Sequence, residues 1–271
     1  MTVLVTSREH IALLEMKKAG GGTLELSLDL DRSKTTVTVR PDSWVVGDRE
    51  YPYLDVCKDN TVYVWDDGEF APVARFTKSL IKLVPTSWGP PTFQIDGIKM
   101  LPTAHTCPFA DAERKVALIA PRGKIILDTC GGLGYFAANC LKGGAKKIVS
   151  TEKNADVLWL REVNPWSPTA GGTLDLRHGD IAQDIVKMPT GSFDAALHDP
   201  PRFGIAGELY SQVFYDHLAR VLKPKGLLFH YTGSPNKLTS GRDVPNEVSQ
   251  RLRRAGFHTR LEGDGVFASK K

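Results

Sequence analysis

Hydrophobic positions change period along the chain, and the change divides it. Residues 1–20 place Ile11, Leu14 and Met16 among charges, which predicts a short helix ending at Gly20-Gly21-Gly22. Leu24, Leu26, Leu28 and Leu30 then alternate with polar residues, as a half-buried strand requires. Asp31-Arg32-Ser33-Lys34 reads as a turn, and Thr36-Val37-Thr38-Val39 resumes the alternation. Further short strands are expected at Tyr53–Cys57 and Val62–Trp65, with Asp66-Asp67-Gly68 as the clearest turn. Residues 70–84 carry no decisive pattern. Trp88-Gly89-Pro90-Pro91 has the composition of a linker, so residues 1–91 are expected to form a small β-rich domain.

From residue 92 onward short apolar runs alternate with amphipathic segments. Strands are expected at Lys124–Thr129, Ile148–Glu152, Leu174–His178, Phe193–Asp199 and Leu227–Tyr231. Helices are expected over Ala110–Ala120, from the glycine loop to about Leu141, and over Asn154–Val163, Leu209–Leu222 and Val248–Ala255. The helix at 209–222 should bury Leu209, Val213, Leu218, Val221 and Leu222. A pair of strands closes the chain over 257–269. This order implies an α/β fold over residues 92–271, a Rossmann-like parallel sheet with helices on both faces. Such sheets bind ligands beyond the carboxyl ends of their strands, where Asp128, Glu152, Asp180 and Asp199 fall.

No stretch approaches the roughly 20 apolar residues of a membrane helix. The four cysteines form no CxxC pair, which disfavours a zinc knuckle or disulfide framework and fits a reducing, cytoplasmic interior. Charge is uneven. Residues 1–100 carry 12 Lys and Arg against 14 Asp and Glu, and residues 101–271 carry 23 against 17. The positive excess suits a polyanion, or a solvated surface.

Two segments carry chemistry. In Asp128-Thr129-Cys130-Gly131-Gly132-Leu133-Gly134, glycines after a strand let backbone approach a ligand and turn into a helix. Gly132, Gly134 and Ala137 also fit the dinucleotide pattern G-x-G-x-x-A, followed by Glu152. The acid four residues before Gly132 resembles instead motif I of class I methyltransferases, with Cys130 in place of their first glycine. The second segment, Asp199-Pro200-Pro201-Arg202-Phe203, closes a strand. It resembles motif IV of amino-methyltransferases, in which the acidic side chain and first proline carbonyl accept hydrogen bonds from an exocyclic amine. Arg202 stands where that motif has an aromatic, so Phe203 stacks on the base or Arg202 meets the base or a phosphate. A proline-rich strand terminator is the plain structural alternative.

Together DTCGGLGYFA, STEKN, HGDI, FDAALHDPPRF, GELYSQVFYDHLARVL and HYTG resemble a family of archaeal S-adenosylmethionine-dependent methyltransferases, over roughly residues 93–271. The resemblance implies S-adenosylmethionine as cofactor. Gly132 and Gly134 would line its methionine part, Asp128 would lie near its amino group, Glu152 would take the ribose hydroxyls, and Asp180 the adenine amine. It also implies an RNA partner, with cytidine N4 of ribosomal RNA as target; from the residues themselves no metal and no membrane partner is expected.

Alternatives kept open are a small-molecule amine methyltransferase, an aminopropyltransferase using decarboxylated cofactor, and a non-enzymatic RNA-binding assembly factor. His178, His198 and His230 could ligate a metal but suit strand-end packing better. Tyr231 borders the pocket or lies in the core. Trp44, Trp65 and Trp88 either stack on bases or build a core, and Arg251, Arg253 and Arg254 track a phosphate backbone or form a solvated face. Oligomeric state is left open.

Overall fold

The computed structural model describes residues 2–233 and 243–271. The chain divides into two compact units, Met1–Ala110 with Trp159–Ser167, and Asp111–Leu158 with Pro168–Lys271.

The first unit contains helix α1 (Ser7–Lys18) and three antiparallel sheets. One joins β1 (Leu4–Val5), β6 (Tyr63–Asp66) and β7 (Glu69–Pro72). The second is built in order from β2 (Gly22–Leu26), β3 (Thr35–Val39), β4 (Ser43–Val46) and β5 (Arg49–Pro52). The third joins β8 (Ala74–Phe76), β9 (Leu80–Val84), β10 (Thr92–Ile95) and β11 (Ile98–Lys99). Val37 and Val39 of β3 alternate with exposed threonines and enter a core with Leu13, Leu26, Leu28, Trp44 and Tyr51. The rings of Trp44 and Tyr51 stack at 4.7 Å, and Trp65 meets Tyr51 edge-on at 5.1 Å.

Three expectations for this region change. Leu28 and Leu30 are buried, yet the strand stops at Leu26. The Asp29 carboxylate accepts the backbone N–H groups of Arg32 (3.1 Å) and Ser33 (2.9 Å), drawing the chain into a turn. The strand expected at 53–57 lies earlier, at Arg49–Pro52, because Pro52 has no N–H to continue the ladder. Trp88–Pro91 is a hairpin loop, because β9 and β10 pair across it from Val84 opposite Thr92. The front sheets therefore extend past residue 91, where a boundary was expected.

The second unit is one seven-stranded sheet with its helices. In chain order these are α2 (Pro108–Ile119), β12 (Ile125–Asp128), α3 (Tyr135–Lys142), β13 (Lys147–Glu152), α4 (Ala155–Val163), β14 (Leu174–His178), α5 (Ile181–Lys187) and β15 (Phe193–His198). A 3-10 helix (Gly207–Tyr210), α6 (Gln212–Val221), β16 (Leu222–Tyr231), α7 (Val244–Arg254), β17 (Phe257–Glu262) and β18 (Gly265–Lys270) follow. The sheet order is β14-β13-β12-β15-β16-β18-β17. Strands β12 to β16 are parallel, and β18 runs antiparallel between β16 and β17.

Leu127, Val149, Ala196 and Leu228 pack in one cluster with residues of α5, α6 and α7. Their strand neighbours Ile126, Ile148, Ala195, Leu197 and Phe229 are equally buried. Side chains alternate across a sheet, so both faces are covered. Val213 departs from expectation, being 66% exposed. The chain breaks at Ser211, whose hydroxyl caps α6 by accepting from the Phe214 N–H, so the buried stripe becomes Phe214, Tyr215, Leu218, Ala219 and Val221. Helix α5 was not foreseen, although Asp180 supplies its N-cap.

Candidate functional site

The chain runs outward from β12 to β14, then returns to the other side of β12 for β15 and β16. Connections therefore leave in opposite directions from the adjacent strands β12 and β15, and a crevice opens at their carboxyl ends. Register fixes what lines that edge. Asp128 lies opposite Ser150 on one side and Leu197 on the other, Glu152 opposite His178, and His198 opposite His230. Asp128, Glu152, Asp199 and Tyr231 are thus brought to one edge of the sheet, with Asp180 just past β14.

The glycine loop is held against β13. The Gly131 N–H donates to the Thr151 carbonyl (2.8 Å), and the Gly132 N–H to a Glu152 carboxylate oxygen (2.8 Å). The other Glu152 oxygen accepts from the Asn154 N–H (2.8 Å). Gly132 and Gly134 adopt φ of 48° and 83°, a region that side-chain-bearing residues reach at a cost. Gly134 is the N-cap of α3 and has no side chain with which to cap it. Asp128 is buried and accepts from the Ser150 hydroxyl (2.8 Å). Burial, reinforced by the charge of Glu152, pushes the Cys130 thiol well above its usual range, so it is no nucleophile at neutral pH.

Asp180 is engaged twice. It accepts the Ala182 N–H (3.0 Å) and pairs with Lys153 (2.8 Å), and the Lys153 hydrogen bond holds its carboxyl below the ordinary range. This donor set fits an adenosyl cofactor: backbone approach at Gly132–Gly134, a carboxylate at the tip of each of β12 and β13, and a third past β14. Each ionised carboxylate has acceptor capacity beyond these bonds.

The Asp199–Phe203 segment leaves β15 beside the switch point. Asp199 is half-buried. Burial pushes its carboxyl up to about 6, opposed by Lys115 and reinforced by Asp111, Asp264 and Asp128. The loop is braced at both ends. A ring nitrogen of His198 (Nε2) lies 3.0 Å from the Leu209 carbonyl, and the Tyr210 hydroxyl donates to the Pro201 carbonyl (3.1 Å). The two candidates beyond the prolines separate. Phe203 packs edge-on against Tyr210 (5.5 Å) and joins the core, whereas the charge of Arg202 is felt by Tyr231.

Sequence reasoning missed a buried ion group next to this loop. Lys115, 1% exposed, pairs with Asp111 (2.6 Å) and Asp264 (3.5 Å) and lies over the Tyr231 ring at 3.9 Å. In the sequence Asp111 and Lys115 are an ordinary i,i+4 helix pair, and Asp264 is a hairpin turn residue. Nothing local marks them.

The histidines have structural partners. His198 and His230 are fully buried, 4.4 Å apart, and burial keeps both neutral, His198 lowered to about 4. Only an N–H can satisfy a carbonyl, so His198 donates through Nε2 to Leu209 and its Nδ1 accepts from Thr129 (2.7 Å). His230 donates through Nδ1 to the Tyr231 carbonyl (2.9 Å), leaving Nε2 to accept from Tyr215 (2.9 Å). His178 is exposed, 3.2 Å from the Lys153 carbonyl.

Trp44 is a core residue, Trp65 packs beside it, and Trp88 is exposed. In α7, Arg251 pairs with Glu247 and Arg253 donates to Thr259. No helix among the described residues is long and apolar enough to cross a membrane.

The sheet order, with its antiparallel seventh strand, and the acid-tipped crevice define the fold of class I S-adenosylmethionine-dependent methyltransferases and spermidine synthases. The chain is similar in fold to a spermidine synthase solved with the transition state analogue AdoDATO, with a TM-score of 0.59 and 18% identity over 76% of this chain and 77% of that one. The chain belongs to the family of the uncharacterized protein MJ1233 of Methanocaldococcus jannaschii, to which it is 38% identical over 242 residues, 86% of this chain and 83% of the relative. It is also 29% identical to a polyamine aminopropyltransferase of Mycobacterium tuberculosis, over 43% of this chain and 24% of that protein. No family model matches the chain.

Proposed function

We propose that the protein is an S-adenosylmethionine-dependent N-methyltransferase acting on an exocyclic base amine in RNA, with cytidine N4 of ribosomal RNA as the target. The observation that carries the reading is the Asp199-Pro200 pair at the switch point, on the strand adjacent to the one ending in Asp128. Asp128, Gly132, Gly134, Glu152 and Asp180 would hold the cofactor, which supplies a methyl group made electrophilic by its sulfonium. Asp199 and the Pro200 carbonyl accept the two N–H bonds of the target amine and thereby fix the direction of its lone pair. The prolines leave the loop poor in competing N–H donors. His198 and Tyr210 brace the loop from behind, so its acceptors are in place before substrate arrives.

No strong base is required. The nitrogen becomes acidic on methylation, and its proton passes to Asp199, whose carboxyl titrates near 6, or to water. Arg202 contacts the base or its phosphate, and the positive excess of residues 101–271 favours a polyanion. The front unit would grip RNA.

The test is mass spectrometry of nucleosides from unmodified ribosomal and transfer RNA incubated with the protein and methyl-labelled S-adenosylmethionine. Label in one amine-methylated base, lost in Asp199→Ala, establishes the activity and names the base. No label, with cofactor binding confirmed by calorimetry, refutes it. A second reading, aminopropyl transfer, draws support from the aminopropyltransferase likeness and is tested by replacing the methyl donor with decarboxylated cofactor and adding diamines.

A further inference from the structure

The ion group beside Asp199 has the parts of an ammonium cage. Two carboxylates, Asp111 and Asp264, and the face of Tyr231 surround one point. Carboxylates and an aromatic face together select a primary or quaternary ammonium ion. That point is filled by the protein itself, with Lys115 Nζ 2.6 Å from Asp111, 3.5 Å from Asp264 and 3.9 Å from the ring centroid. Lys115 takes the Oδ2 atom of each carboxylate, and Arg114 takes the Oδ1 atoms, at 3.1 Å and 2.8 Å.

Backbone also packs against the cage. A Cβ at Gly233 would lie 3.0–3.2 Å from atoms of the Tyr231 ring, so backbone packs closely on it. The Thr232 and Gly233 N–H groups both donate to the Asp264 carbonyl at 3.1 Å. Tyr231 ends β16 beside the end of β15, and its phenol feels the charge of Asp199.

We propose that Lys115 is the specificity-determining residue of the site: its tethered ammonium occupies the cage of Asp111, Asp264 and Tyr231 beside Asp199, which excludes diamines and polyamines and leaves Asp199 to an uncharged amine. This rests on Asp199 as the amine acceptor and narrows the substrate class of that reading to neutral amines such as those of nucleobases. An incoming ammonium would find both carboxylates satisfied and would meet the Lys115 charge at close range. An uncharged N–H₂ group suffers no such repulsion. The contrast matters because a similar fold serves a spermidine synthase.

The experiment is isothermal calorimetry of spermidine and putrescine against the whole protein and its variants, with folding checked by circular dichroism. The wild type and Lys115→Arg are expected to show no saturable binding of either amine. Lys115→Ala is expected to bind spermidine saturably, at least ten-fold more tightly than the weakest binding the wild-type titration would detect, and the double variant Lys115→Ala/Asp264→Asn to lose that gain. Lys115→Met, which keeps the stem, serves if the alanine variant does not fold. If neither folds, the wild type decides: saturable spermidine binding overturns the proposal and its absence supports it. Folded Lys115 variants with no gain also overturn it. The readout needs neither RNA nor methyl transfer. A wild type that methylates no RNA yet excludes spermidine refutes the RNA reading and leaves the role of Lys115 standing.

Discussion

The Gly132 N–H and a carboxylate oxygen of Glu152 lie 2.8 Å apart, and this hydrogen bond, beside that of the Gly131 N–H to the Thr151 carbonyl, joins the glycine loop to the tip of β13. The same carboxylate holds the Asn154 N–H where the chain turns into α4. Glu152→Ala removes both acceptors. A part-buried donor left unsatisfied costs about 1–3 kcal/mol. The expected outcome is a lower melting temperature and at least a ten-fold loss of affinity for S-adenosylmethionine by calorimetry. Affinity equal to wild type would remove Glu152 from the cofactor site.

Asp199 sets stability against activity. Its folded pKa is raised, so the stability it contributes is full below its unfolded value of 3.8 and is lost as pH rises through about 6. At pH 7 the ionised group is a burden. Asp199→Asn is expected to stabilise the protein by about 1–2 kcal/mol at pH 7 and by little at pH 4, discounting for its partial exposure. Methyl transfer should fall at least a hundred-fold in the same variant. Paired denaturation curves and single-turnover rates check both halves, and wild-type rates should rise with pH through about 6.

His198 gives the opposite sign at acid pH. Its pKa falls from 6.5 unfolded to about 4 folded, so the unfolded chain binds the proton more readily between those values. Stability present above 6.5 is therefore lost as pH falls, by about 2 kcal/mol between pH 7 and pH 5 for this residue alone. His230 acts in the same direction. Urea denaturation at the two pH values measures the loss. A His198→Gln variant should show a shallower dependence, and an unchanged slope would mean that the pair does not stay neutral.

Arg202 and Phe203 should part company under substitution. Phe203→Ala removes a ring packed on Tyr210 and is expected to destabilise the second unit by about 1–3 kcal/mol. Arg202→Ala should leave the melting temperature within a degree or two and weaken RNA binding, with a shallower salt dependence. Filter binding at several salt concentrations separates the two. A destabilised Arg202→Ala with normal RNA binding would reverse the roles.

The sheet of the second unit is legible in the sequence because its central parallel strands, buried on both faces, read as short apolar runs such as Lys124–Thr129 or Phe193–His198. The motif acids are legible because each ends such a run. What could not be read depends on distance along the chain. The Lys115 group joins α2 to a turn at Asp264, and no local spacing encodes that meeting. The Asp29 turn, which ends β2 early, defeated the alternation at Leu28 and Leu30 because side-chain hydrogen bonds outbid periodicity. Val213 was misplaced for a similar reason, since the Ser211 cap resets the helix phase.

Strand β18 is the last of its sheet to be synthesised and yet lies between β16 and β17. A chain still emerging from the ribosome can pair β12 through β16, but their outer edge stays open until residues 265–270 arrive. Asp264, which precedes that strand, is a partner of Lys115 and anchors Thr232 and Gly233. The cage beside Asp199 is therefore completed only by this late segment, and a partly made chain would hold the glycine loop without a finished acceptor side.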